Sequence, residues 1–212
     1  MTTIKRKALL LLTLSILGAQ ALSQPSYDPT TRAVSNWKTE ARQHLGLREE
    51  DLTEHASLRC VRLNNYWCLK DVGWRGRIEK DADGHTAFES GEWSARAAAR
   101  NFRTAYVKEA RKSALQIMAV YAPTTDCIGS EAARRPDGTC IRGKNDPEEY
   151  ARRVASGITD DASSDLKLFD ENGLATENLK VFLRNVAAFE IGGLTVSDKT
   201  LARGICMESG EC

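Results

Sequence analysis

The chain has 212 residues, with 30 Lys and Arg against 29 Asp and Glu and a formal net charge of +1. That balance lacks the basic excess a nucleic-acid surface needs, so a nucleic-acid partner is set aside. The length suffices for one good-sized hydrophobic core, and no internal repeat or low-complexity tract interrupts it.

In chain order, residues 1–21 read as a secretory signal peptide. Lys5, Arg6 and Lys7 form a basic start, Ala8 to Leu17 is an apolar run, and Ala19-Gln20-Ala21 is an A-x-A cleavage signal. The apolar run is too short to span a bilayer comfortably, and no later segment is apolar enough to do so. The expectation is a periplasmic or secreted protein with no membrane span after signal cleavage. The signal holds three basic residues and no acid, so the mature charge is 27 − 29 = −2.

Residues 22–34, rich in Pro, Ser and Thr at their start, read as a loose leader. A helix is expected from Ser35 as N-cap to Gly46, and a second short one within Leu47–Leu58 capped by Thr53. Trp74–Lys80 and His85–Phe88 flank the turn "DADG" and predict a β-hairpin, with His85 exposed. From Trp93 the pattern turns helical, restarts at Ser113 and stops at Pro123. Residues 124–146 form a long Gly/Pro/Arg-rich loop. Asp146-Pro147-Glu148-Glu149 is a strong helix start, with Tyr150, Val154 and Ile158 facing inward. A long helix over Thr176–Ile191 carries Leu179, Phe182, Leu183, Val186 and Phe189 as its apolar stripe. Ser197 caps a short last helix through Ala202.

Six cysteines in an exported chain predict three disulfides, and their spacing favours the local pairs Cys60–Cys68, Cys127–Cys140 and Cys206–Cys212. A metal site is the rival reading. No C-x-x-C occurs and the three histidines stand singly, so neither metal nor cofactor is expected. The fold class is mainly α with a small β-hairpin, a single domain over 35–212 with a disulfide-closed loop at 124–146. Helices around a small β-element is a layout that lysozyme-like α+β domains use.

Motif order adds a family likeness. Arg62, Asn64 and Asn65, then Trp74 and Gly76, then Phe88 and Ser90 entering a long helix follow one another along the chain. This resembles lysozyme-like phage and prophage virion proteins, with N-N-N-P-G-N-I, W-x-G and F in that order, and more distantly flagellar-type glucosaminidases. "YAP" at Tyr121–Pro123, "NDPEEYARRVASGI" from Asn145, "AAFEIGG" from Ala187 and "VSD" at Val196 continue the likeness to the phage family. The chain departs from it in having Tyr66-Trp67-Cys68-Leu69 in place of P-G-N-I, and in lacking the E-S-G-W-G of glucosaminidases upstream of Asn64. The resemblance implies an exported bacterial relative that acts on peptidoglycan as a muramidase or lytic transglycosylase. The alternative is a catalytically inactive relative that binds peptidoglycan or an envelope protein partner.

Cleaving a glycan strand needs a carboxylic acid of raised pKa to protonate the glycosidic oxygen. The candidates are Glu79 on the hairpin, and Glu89 and Glu190, each beside a phenylalanine. Glu50 and Glu54 precede Asn64 by one short helix. Asn64 and Asn65 could hold N-acetyl groups or bond turn backbone. Trp67 and Trp74 could stack on sugar rings or plug the β-element. No G-x-S-x-G, H-E-x-x-H or P-loop is present.

Overall fold

The computed structural model describes residues 24–129, 133–210 and 212. The segment read as a signal peptide lies outside them. Helices dominate, with two small two-stranded antiparallel sheets. A first hairpin, β1 (Tyr27–Asp28) with β2 (Ala33–Val34), precedes α1 (Trp37–Leu45), α2 (Glu49–Glu54), a 3-10 turn (His55–Ser57) and α3 (Arg59–Arg62). The second hairpin, β3 (Arg77–Lys80) with β4 (Thr86–Phe88), leads into α4 (Gly91–Arg103), which runs on into a π-helical turn (Thr104–Lys108). Then come α5 (Ala114–Tyr121), α6 (Pro147–Ala155), α7 (Glu177–Glu190) and α8 (Asp198–Ser209). Among the described residues no helix is long and apolar enough to cross a membrane.

Local chemistry explains most boundaries. Gly46 ends α1 in the left-handed conformation at φ 67°. Ser90 caps α4 by accepting from the Trp93 amide. Ser113 and Gln116 form a capping box at α5. Asp146 accepts from the Glu148 and Glu149 amides, with Pro147 in the first turn of α6.

The structure differs from the sequence reading at several points. Residues 27–34, taken as loose leader, form the first hairpin. Arg62 donates to the Thr31 carbonyl (2.7 Å), and Val34 is buried against Leu63 and Ala87. Asn36 rather than Ser35 precedes α1, because the Ser35 hydroxyl accepts from the Ser26 amide instead. Thr53 lies inside α2, which starts after Arg48 with Asp51 accepting from the Arg48 amide. The last helix continues past Ala202 to Ser209, since Gly204 is its contact with α4 rather than its end. A Cβ on Gly204 would lie 2.4 Å from the Ala95 Cβ and 2.7 Å from the Ala95 carbonyl carbon.

The core gathers Tyr66, Trp67, Phe88, Phe102, Met118, Phe182 and Leu183, all fully buried. The alanine face of α4 (Ala95, Ala98, Ala99) lets α8 approach closely. Leu179, Phe182, Leu183 and Val186 bury the stripe of α7, but Phe189 is 43% exposed.

All six cysteines pair locally, Cys60–Cys68, Cys127–Cys140 and Cys206–Cys212, each with Cα atoms 5.3 Å apart. Three disulfides place the folded chain in an oxidising, extracytoplasmic environment. Thiol labelling of the denatured, unreduced protein is expected to detect no free cysteine; two labelled cysteines would disprove the pairing.

Candidate functional site

A cleft of about 1360 Å³ opens on one region of the molecule. The segment from α3 to the second hairpin contributes Arg59, the Cys60–Cys68 disulfide, Lys70, Trp74 and His85 to its lining. The ends of α5, α6 and α7 contribute Tyr121, Tyr150 and Glu190.

Glu190 is the last residue of α7 and lines the cleft, with Ala187 and Ile191 beside it in the core. Its Oε1 accepts a hydrogen bond from the Tyr150 hydroxyl at 2.5 Å. Burial raises its pKa to about 7, only partly offset by the Tyr150 bond and the Arg59 charge. Tyr150 stacks on Phe189, with ring centroids 3.8 Å apart, and packs edge-on against Tyr121. Burial and the neighbouring Glu190 carboxyl hold the Tyr150 phenol well above its ordinary pKa, so it stays a donor. A carboxyl that titrates near 7 in a cleft is protonated often enough at neutral pH to act as a general acid.

Removal of the Tyr150 hydroxyl takes away a hydrogen bond that favours ionised Glu190. Tyr150→Phe should therefore move the Glu190 pKa above about 7, read by carboxyl-selective NMR titration. An unchanged or lower value would show that the phenol does not stabilise the carboxylate.

The other candidate acids lie elsewhere. Glu79 is exposed on β3, accepts from its neighbour Lys80's amide (3.0 Å) and pairs with Arg77 at 3.4 Å. Glu89 is exposed at the end of the hairpin, and its backbone carries the contacts: its amide donates to the Gly76 carbonyl, and its carbonyl accepts from Asn36 Nδ2. Glu50 pairs with Arg48 at 3.0 Å on the surface, and neither it nor Glu54 reaches the cleft. A register shift between Arg77 and Glu79 leaves β3 exposed at Arg77, Glu79 and Lys80, and Glu89 follows the buried β4 at its exposed end.

Asn64 and Asn65 are fully buried and hold backbone together. Asn64, at φ 52°, donates from Nδ2 to Asn36 Oδ1 and the Phe88 carbonyl. Asn65 donates to the Leu69 and Thr86 carbonyls and accepts from the Leu69 amide. Both tie the 62–69 turn to β4. Trp67 is fully buried and donates to the Leu183 carbonyl at 2.9 Å, so it is core. Trp74 does line the cleft. Its indole N–H is already bonded to the Lys70 carbonyl (2.8 Å), which leaves ring surface for a ligand.

His85 is buried rather than exposed, because the "DADG" turn folds over it. Asp81 Oδ1 accepts from the His85 amide (2.8 Å), and Arg59 bridges to Asp83 at 2.7 Å. Burial lowers the His85 pKa, and Asp81 is held at about 2, its bonds to His85 outweighing its own desolvation. Among the described residues no group of three or more His, Cys, Asp or Glu is placed to hold a metal ion.

Sequence reasoning missed Tyr150 and Arg59 as partners of Glu190. Tyr150 read as one more inward residue of α6, and nothing local marks a contact forty residues away. No protein-family model matches the chain, and no characterised protein searched matches it significantly.

Proposed function

We propose that the chain is a periplasmic or secreted cell-envelope protein that binds peptidoglycan glycan strands in this cleft and cleaves them with Glu190 as general acid. The observation that carries the reading is Glu190 at the open end of α7, protonatable near neutral pH and oriented by Tyr150. In the reaction Glu190 gives its proton to the glycosidic oxygen, and the bond from that oxygen to the sugar C1 breaks. Water then adds at C1 in a muramidase, or the sugar's own 6-hydroxyl closes on C1 in a lytic transglycosylase, and the proton lost from that oxygen returns to the Glu190 carboxylate. Trp74 supplies a ring for sugar stacking. The three disulfides and the expected signal peptide support the envelope location.

One observation favours a second reading, a non-catalytic binder of glycan or of an envelope protein: Glu79 and Glu89 both lie outside the cleft, and of the other carboxylates that line it Asp83, Glu109 and Glu149 are already paired with arginines. Incubation with purified sacculi separates the two. Release of soluble fragments by the wild type, with a new reducing end or an anhydro end, supports the enzyme. Sacculus pull-down without release supports the binder, and neither release nor pull-down sinks both.

A further inference from the structure

The end of α7 is a poor place for a carboxylate. Desolvation disfavours the Glu190 charge there, and the free carbonyls of a helix C-terminus repel it. Giving up its proton turns Glu190 into that carboxylate, so an acid here gains from a fixed cation beside it. The start of α3 supplies one. Leu58 meets the chain just past α7, since a Cβ at Gly192 would lie 3.8 Å from its methyl carbons. Cys68, bonded to Cys60, has its Sγ 4.0 Å from the Glu190 carbonyl oxygen. Arg59 lies between Leu58 and Cys60 in the chain and lines the cleft together with Glu190.

The "DADG" turn fixes the guanidinium. Arg59 Nη1 donates to Asp83 at 2.7 Å, and its Nε stands 3.7 Å from Asp81. Its Nη2 lies 3.5 Å from His85 Nε2, on a ring whose pKa burial lowers. Lys70 is tied to the same turn through the Asp83 carbonyl at 2.7 Å. Of these charges only that of Arg59 acts on the Glu190 carboxyl. The Tyr150 and Tyr121 phenols also face Glu190, and burial keeps both protonated. Arg153 lies 5.8 Å from the Phe189 ring, but its side chain is 64% exposed and paired with Glu149, against 21% exposed for Arg59. Solvent screens the more exposed charge more strongly. Resting on the reading of Glu190 as the acid, we propose that Arg59 is its positioning residue: the hairpin turn holds the guanidinium beside the end of α7, where it stabilises the carboxylate left when Glu190 gives up its proton. The second hairpin then serves the site through Arg59 and not through its own glutamates.

The test compares the wild type with Arg59→Gln, Arg59→Met, Arg59→Lys and Arg153→Met, each checked for folding by circular dichroism. Glutamine and methionine both remove the charge, and glutamine can still bond Asp83. Two readouts are taken: the titration of Glu190 by carboxyl-selective NMR, and the pH profile of fragment release from sacculi. Without the cation the carboxylate is less stable. In Arg59→Gln and Arg59→Met the Glu190 titration and the alkaline limb of the profile should therefore move up together, by about one pH unit. Arg59→Lys keeps the charge and should stay near the wild type, and Arg153→Met should leave both readouts in place. A titration unmoved in the two uncharged variants overturns the inference, as does an equal shift in Arg59→Lys or Arg153→Met. A wild type that releases no fragments ends the glycosidase reading instead, and the NMR titration still decides whether Arg59 governs the Glu190 charge.

Discussion

Glu190→Gln should reduce release of soluble fragments from sacculi by at least about 100-fold, the usual contribution of a general acid. The same substitution should stabilise the protein at alkaline pH. In the folded chain Glu190 titrates at about 7 against an ordinary value of 4.5, because burial penalises its charge. Below 4.5 the carboxyl is protonated in both folded and unfolded chains and costs nothing. Between 4.5 and 7 the unfolded chain ionises while the folded one keeps its proton, so stability falls as pH rises. Above 7 the loss is complete, at about 3 kcal/mol. Glutamine never ionises and escapes that loss, and it can still accept from Tyr150. The variant should therefore match the wild type in thermal melts at pH 4 and exceed it at pH 8. Full activity in the variant would end the assignment of Glu190 as the acid. A stability difference that ignores pH would remove the physical basis for it.

Trp67→Ala is expected to cost about 3–5 kcal/mol in chemical denaturation, the range for emptying a buried large aromatic site. Trp67 is fully buried, packs with Tyr66 and donates to the Leu183 carbonyl, which joins the 62–69 turn to α7. The Tyr121 hydroxyl bonds the Trp67 backbone carbonyl, a contact that alanine keeps. Trp74→Ala is the contrast. That ring lies partly exposed on the cleft, so its removal should weaken sacculus pull-down with little change in stability. A Trp67→Ala protein as stable as the wild type would show that the ring is not the plug of this core. A Trp74→Ala protein that binds sacculi normally would remove that ring from the ligand site.

The candidate site was partly legible. That Glu190 has an unusual setting could be read from its place after Phe189 at the end of an apolar stripe. The pairing with Tyr150 could not, because it depends on how α6 lies against α7. Phe189 shows the limit of periodicity. A stripe repeating about every 3.6 residues marks which face of a helix is apolar, but not how wide a sector of it the neighbouring elements cover. Ala187 and Ile191 stay in the core at the end of α7, while Phe189 falls at the edge of the buried face and stacks on Tyr150 at the cleft. The two asparagines and Trp67 misled for the opposite reason. Polar and aromatic residues in a turn suit ligand contact and buried scaffolding equally well, and only their burial separates the two.

By itself the sequence determined the features set within a few residues: the helix starts at Ser113 and Asp146, the stop at Gly46, the "DADG" hairpin and the three local disulfides. Each follows from a side chain that bonds neighbouring backbone, a glycine that tolerates positive φ, or two thiols close along the chain. Only the tertiary structure decided which of the candidate glutamates reaches the cleft, that Trp74 and not Trp67 lines it, and that His85 is covered. Those outcomes depend on helices and turns packed together from distant parts of the chain, and burial, which sets both exposure and the Glu190 pKa, exists only once they have packed.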